Sequence, residues 1–248
     1  MADFIEGKRP VIEALRANMP FKRILMADNL KKDSLVGDIE RKARKFNVPV
    51  QLVPRKKLDE LSERGSHQGV MGETAPFRYA SVSDIVKRAE RYADDHDGRA
   101  LIVILDHITD AGNLGAVARS VDAVGGSGII IPNKRSASVT AATYKSSAGA
   151  VSHVPVATTP NLVSAIERLK KDGYWVAGAS EQKDGTIWDT NMKGKIALVM
   201  GNEGEGLSRV VQGACDFFVA LPMEGAIGSL NVAQASTACM YEWLRQNR

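Results

Sequence analysis

The chain is poor in cysteine and histidine and has no long apolar run, and each shortage removes a class of protein. Two cysteines, Cys215 and Cys239, stand in 248 residues without metal-ligand spacing, which argues against a disulfide framework and against a zinc site. No run of about 18 apolar residues occurs, and the opening Met1-Ala-Asp-Phe-Ile-Glu-Gly-Lys-Arg-Pro10 lacks the apolar core of a signal peptide. The expectation is a soluble, cytoplasmic chain with no membrane segment and no metal. The first long apolar strand leads into Ala111-Gly-Asn-Leu-Gly115 rather than Gly-x-Gly-x-x-Gly, and no Gly-Lys-Ser/Thr phosphate loop is present. There is no Gly-x-Ser-x-Gly elbow, and His67, His96, His107 and His153 all lie outside the glycine-rich segments described next. Hydrolase triads and hydride transfer are both disfavoured.

What the chain does have is three glycine-rich segments in its C-terminal half, each at the end of an expected strand. They are Asp110–Arg119, Met200–Ser208 and Leu221–Gln234. Glycines at such places let the backbone come close to a ligand, so three of them can build one small-molecule site at one edge of a sheet. The composition, 44% apolar and 25% charged, is that of an ordinary globular protein.

Charge is uneven although the total is only +4. Residues 1–79 carry 16 Lys and Arg against 11 Asp and Glu, residues 80–97 carry 3 against 5, and residues 98–248 carry 14 against 13. The excess clusters as Lys8-Arg9, Lys22-Arg23, Lys31-Lys32, Arg41-Lys42 with Arg44-Lys45, and Arg55-Lys56-Lys57. Any one cluster reads as a solvated helix face; five of them in the first third point to an anionic partner such as nucleic acid.

The pattern predicts two domains. In the first, Pro10 opens a helix with the stripe Val11, Ile12, Leu15, followed by a strand over Arg23–Ala27. Next come a helix over 33–46 facing inward with Leu35, Ile39, Ala43 and Phe46, a strand over Val48–Val53, a helix over Lys56–Arg64 and a strand over His67–Met71. Together these make a small α/β sandwich. Residues 80–97 read as a helical or irregular linker ending in the polar turn Asp94-Asp-His-Asp-Gly98. Residues 98–248 then alternate strands over Ala100–Leu105, Gly128–Ile131, Val154–Ala157, Tyr174–Ala179, Ile196–Met200 and Phe217–Leu221 with helices over Gly115–Val124, Ala141–Ala148 and Leu162–Lys171. Continuous apolar strands such as Leu101-Ile-Val-Ile-Leu105 suit a mostly parallel open sheet covered on both faces. A last helix from Ser229 to Gln246 carries the stripe Val232, Ala235, Cys239, Trp243 with Leu230, Met240 and Leu244.

The polar residues of the three segments are the candidate chemistry. Arg119, placed one turn into its helix, can offer a guanidinium to a phosphate or sit on the surface. Asn113 is read in the turn itself, where Asn also serves conformation alone. Glu203 and Glu205 are either rim groups or solvated loop carboxylates. Asn231 is a first-turn residue, and Ser229 is an N-cap, a catalytic group or both. Arg, Asn, Glu and Ser without an evident nucleophile fit transfer between two bound substrates.

Asn113-Leu-Gly-Ala-Val-Ala-Arg119, Leu198-Val-Met-Gly-Asn-Glu-Gly-Glu-Gly-Leu-Ser208 and Leu221-Pro-Met223 with Ser229-Leu-Asn-Val232 closely resemble the three motifs of the SpoU/TrmH family, RNA ribose 2′-O-methyltransferases of the SPOUT superfamily. The resemblance covers roughly 98–248. Gly7 with Arg9-Pro-Val-Ile-Glu-Ala-Leu15, and His67-Gln-Gly-Val70, resemble the L30e-like RNA substrate-binding domain that many members carry at 1–79 here. The resemblance implies a trefoil knot in the C-terminal domain, S-adenosylmethionine as methyl donor and a homodimer with the last helix at its interface. It places Asn113, Arg119, Glu203, Ser229 and Asn231 in the catalytic and acceptor-binding set. Gly201, Leu221 and Leu230 then hold the donor through backbone groups, accompanied by Leu198, Met200, Gly206, Met223 and Ser229. The two-domain layout points to a guanosine of large-subunit (23S) rRNA, with tRNA as the alternative target. A non-catalytic RNA-binding protein and a small-molecule enzyme with a nucleotide cofactor are the readings from other classes.

Overall fold

Strand alternation assigns every layer of this molecule. The computed structural model describes residues 4–63, 65–180, 186–202, 204–226 and 228–248. The first sheet has the order β1-β4-β2-β3, from β1 (Phe4–Glu6), β2 (Phe21–Ala27), β3 (Val50–Val53) and β4 (Val70–Thr74). β4 runs antiparallel to β1 and β2, and β3 parallel to β2. Along β2, Ile24 and Met26 turn to α1 (Lys8–Arg16) and α2 (Ser34–Lys45), while Leu25 and Ala27 turn to α3 (Arg55–Leu61). The sheet therefore lies between two helical layers.

Three local expectations shift. The buried face of α2 is Val36, Ile39 and Ala43. Leu35 is only half-buried and Phe46 is exposed, because the helix ends at Lys45 and carries Phe46 past the core. The last strand starts at Val70 rather than His67, since Gln68 and Gly69 take positive φ and turn the chain before it can pair. The helix expected to reach Arg64 ends at Leu61, and Arg64 itself lies outside the described residues.

The second sheet has six parallel strands in the order β10-β8-β9-β5-β6-β7. They are β5 (Ala100–Leu105), β6 (Gly128–Pro132), β7 (Val156–Thr159), β8 (Trp175–Ala179), β9 (Lys195–Met200) and β10 (Phe217–Val219). Leu101, Val103 and Leu105 face α5 (Ala111–Ala123), α6 (Ala141–Ser146) and α9 (Val232–Gln246). Ile102 and Ile104 face α4 (Val82–Asp94), α7 (Leu162–Lys171) and α8 (Arg209–Gln212). The strand expected from Val154 starts at Val156, after Pro155, which has no N–H for the ladder.

Residues 80–97, expected as a helical or irregular linker, carry the helix α4, which packs on the second sheet. A Ser81–Asp84 capping box starts α4, and Ile85, Val86, Ala89 and Ala93 are buried against the sheet. The first domain is docked as well: Ala17 and Met19, just beyond α1, pack into the second core, and Glu13 pairs with Lys145 at 3.5 Å.

Both helices that carry candidate chemistry start elsewhere than expected. α5 begins at Ala111, four residues early, because the Asp110 carboxylate caps it by accepting from the Asn113 N–H at 2.7 Å. α9 begins at Val232, and its cap is Asn231, which accepts from the Ala233 N–H at 3.0 Å. Ser229 is an exposed loop residue two positions before that cap. On α9, Met240 is fully buried in the chain's own core and Leu244 packs beside it, whereas Leu230 is exposed outside the helix. Among the described residues no helix is long and apolar enough to cross a membrane.

Candidate active site

Order reverses in the second sheet beside β5, which pairs with β6 on one side and β9 on the other, and ligands bind outside the carboxyl ends of strands at such a place. Asp106 follows β5. Its carboxylate, 1% exposed, accepts the Ser208 N–H at 2.7 Å and faces His107 Nδ1 at 2.5 Å. Asn202, in the turn after β9, donates from Nδ2 to the His107 carbonyl at 3.1 Å. The Asn202 and Gly206 backbones bond to each other in both directions, at 2.9 and 2.8 Å, and close that turn. A Cβ on Gly201 would stand 2.2 Å from the Gly206 carbonyl carbon, so only glycine fits there.

The third segment is joined to the first. Asn231 Nδ2 donates to Asn113 Oδ1 at 3.0 Å, linking the cap of α9 to the first turn of α5. Nearly two turns further on, the Ser120 and Thr237 hydroxyls bond at 2.6 Å. Gly115 lets α6 close on the other side of α5, since a Cβ there would lie 2.4 Å from the Thr143 carbonyl oxygen. Asn113 thus lies in a helix, not in the turn where the sequence suggested it.

A cleft of about 210 Å³ opens between the second and third segments. Met200, Gly201 and Gly206 form one wall. Leu221, Met223, Ser229 and Leu230 form the facing one. Leu198 lies two residues short of the end of β9, and its side chain is fully buried in the core rather than in the cleft. Ser180 at the end of β8, Gln212 and Cys239 also line the cleft. Strand order brings Ser180 there, while Cys239 follows Val232 and Ala235 on one face of α9. Burial pushes the Cys239 thiol up to about 12, so it stays protonated.

Arg119 is the ninth residue of α5, two turns from its start rather than one, and is exposed without an ion pair to any described residue. Glu205 lines the cleft. Glu203 lies outside the described residues. Asp106, Asp110 and Asn202 are the site residues the sequence reading passed over; Asp110, an Asp immediately before an apolar helix, carried a readable capping signal. Among the described residues no group of three His, Cys, Asp or Glu is placed to hold a metal ion.

A parallel sheet gathers three glycine-rich segments at one edge and follows a basic α/β domain, and comparison with known proteins gives this layout its class. Residues 100–241 match the SpoU rRNA methylase family and residues 4–80 the RNA 2′-O ribose methyltransferase substrate-binding family. YacO of Bacillus subtilis, named as a TrmH-family tRNA/rRNA methyltransferase, is 40% identical over 98% of this chain and 96% of its own. A similarly named protein of Staphylococcus haemolyticus is 38% identical over 98% and 95%. Among solved structures, the SpoU methyltransferase AviRb of Streptomyces viridochromogenes in complex with AdoMet has a TM-score of 0.69 at 26% identity, covering 99% of this chain and 90% of that one. The AdoMet-bound rRNA methyltransferase of Sinorhizobium meliloti has a TM-score of 0.66 at 25% identity, covering 98% and 86%. The chain belongs to the SpoU rRNA methylase family. It is an RNA methyltransferase with the SPOUT-type α/β fold, and the methyl donor of this family is S-adenosylmethionine.

Proposed function

We propose that the protein moves a methyl group from S-adenosylmethionine to a ribose 2′-hydroxyl, its target a guanosine of large-subunit (23S) rRNA. The observation that carries this reading is the Asn231–Asn113 hydrogen bond, which brings the first and third glycine segments together beside the cleft lined by the second and third. A non-catalytic RNA binder has no need of that convergence. The rRNA target is supported by the family's description and by the rRNA methyltransferase of Sinorhizobium meliloti. A tRNA ribose is the second reading, favoured by the relatives named for both RNAs.

The cleft suits the donor. Leu221, Met223, Ser229 and Leu230 line it, and backbone groups of such an irregular stretch can meet a ligand's polar edge. Met200, Leu221, Met223 and Leu230 offer apolar surface to a flat ring. We assign the backbones of Gly201, Leu221 and Leu230 to the donor, helped by Gly206, Met223 and Ser229; Leu198 supports the wall from beneath. When bound, the donor supplies a methyl group on a sulfonium, an electrophile that needs no protein nucleophile. The chain's own contribution is position and charge, because an in-line attack gains most from holding the reacting atoms in a near-attack arrangement. Asn113 and Asn231 orient the acceptor ribose, with Ser229 and Glu203 completing the set. Arg119 anchors an RNA phosphate through its guanidinium and polarises the hydroxyl. It is not the base, since an arginine pKa above about 12 leaves almost no neutral form.

The knot implied by the family fits here: the stretch after β10 returns past Ser180 and the 201–208 turn to the same cleft. We place the enzyme in the cytoplasm, as a homodimer using the outward side of α9, where Tyr241 is half exposed. Mapping 2′-O-methyl groups in RNA from cells with and without the protein tests the assignment. Loss of a 23S guanosine mark is expected, loss confined to tRNA selects the second reading, and an unchanged map contradicts both.

A further inference from the structure

Residues 41–58 contain Arg41, Lys42, Arg44, Lys45, Arg55, Lys56 and Lys57 and not one Asp or Glu. The fold sets them along a single edge: α2 ends at Lys45, β3 forms the border of the first sheet, and α3 starts at Arg55. Among the described residues β3 pairs with β2 alone and lies at the border of the sheet. Val50 and Leu52 stand opposite Ile24 and Met26 and share their face, but α2 does not reach over them, and Leu52 is 66% exposed. Phe46 is exposed beside them, with the Lys45 ammonium 5.7 Å from its ring centre.

Elsewhere in this domain Lys8 meets Asp33, Lys22 and Arg23 meet Glu73, and Lys32 meets Glu40, while Arg9, Lys31 and Arg78, which form no ion pair with any described residue, are scattered singly rather than clustered. On the edge, Arg41 is held by Asp38 and Lys57 by Glu60. Lys42, Arg44, Lys45, Arg55 and Lys56 form no ion pair with any described residue. Uncompensated like charges repel, and a polyanion relieves that repulsion while releasing its own counterions. Exposed aromatic and apolar side chains between two cationic clusters match the alternation of base and phosphate in an unpaired strand. Pro49 and Pro54 bracket β3, and with the lysines they blunt strand-to-strand pairing with another protein.

We propose that this edge, from Lys42 to Lys56, is where the first domain docks an unpaired segment of the RNA substrate. Phosphates lie on the clusters at either end of β3 and a base lies on Phe46. The proposal rests on the RNA methyltransferase reading and adds to it the surface and the state of the RNA.

The test compares the full-length protein with K45E/K56E, with F46A, and with a control of equal charge change in the second domain, K171E/K193E. RNA affinity is measured across a salt series with a single-stranded rRNA fragment, alongside calorimetry with S-adenosylmethionine and thermal unfolding. K45E/K56E is expected to lose about tenfold in RNA affinity and to lower the slope of log K against log salt by about 1.4, near 0.7 per lost single-strand phosphate contact. F46A should lose several-fold in affinity with an unchanged slope, and donor affinity and Tm should hold in both. Equal losses in the control, or wild-type slope and affinity in K45E/K56E while wild type methylates RNA, overturn the surface alone. A change in sedimentation of K45E/K56E without a change in RNA binding makes the edge a contact between copies and overturns it too. Wild type that neither binds nor methylates RNA overturns the methyltransferase reading and this surface with it.

Discussion

The buried carboxylate of Asp106 accepts the Ser208 N–H at 2.7 Å, fastening the exit of β5 to the end of the turn after β9 across 102 residues of sequence. One wall of the cleft is set by that bond. Asp106→Ala leaves the Ser208 N–H without its acceptor, a loss worth about 1–3 kcal/mol. Thermal unfolding should register the loss, and calorimetry should show donor affinity down by about tenfold, the equivalent of 1.4 kcal/mol. Wild-type donor affinity would remove Asp106 from the account of the wall.

Gly201→Ala should be worse for the donor than for the fold. Its Cβ meets the backbone of Gly206 and Leu207 at 2.2 and 2.4 Å, so the turn itself must move. Donor binding is expected to fall below detection by calorimetry, while circular dichroism keeps the wild-type helix signal. Retained binding would show that the turn does not shape the donor site.

Arg119→Ala is expected to lower turnover at least on the order of 100-fold, the scale seen on removing one charge-stabilising donor. Donor Kd should stay within about twofold, since Arg119 does not line the cleft. Normal turnover would refute its role.

Asn231 has two duties, capping α9 and bonding Asn113. Asn231→Ala should cost about 1 kcal/mol of stability through the lost cap. Asn113→Ala should cost less, and the double variant should fall short of their sum, because the pair shares one bond. Full additivity in a denaturant series would contradict the contact.

Alkaline stability follows from the two thiols. Burial pushes Cys215 up to about 11 and Cys239 up to about 12 from an ordinary value of 9.0. Their raised values favour the folded state fully below pH 9. Above it the unfolded chain releases protons that the native chain keeps, so stability declines as pH rises from 9 toward 12. Tm should fall over that range, and Cys239→Ala should flatten the fall; an equal fall in the variant would exclude the thiol as its cause.

The sequence made the second sheet legible because a strand buried on both faces must be apolar throughout, as Leu101–Leu105 is. Helix starts were less so. Gly112 made the first turn of α5 look like loop, and the capping Asp110 outweighed it. Residues 80–97 were judged by their polarity, although Ile85, Ala89 and Ala93 already kept a helical spacing. Leu198 belonged to a motif but stays in the core, since it shares a face with Met200 yet lies two residues deeper along β9, short of the cleft at the strand's end. Cys239 shares the helical stripe of Val232 and Ala235 and could have been read with them, whereas Ser180 reaches the cleft through strand order, a long-range property that no local pattern encodes.

Methyl transfer to a ribose oxygen can be read directly in vitro. Purified protein, methyl-labelled S-adenosylmethionine and unmodified 23S rRNA should be combined, and the RNA digested to nucleosides for mass spectrometry. Label is expected in 2′-O-methylguanosine and on the order of 100-fold less of it with Arg119→Ala; label on a base, or no transfer to 23S rRNA or tRNA, rules out ribose methylation.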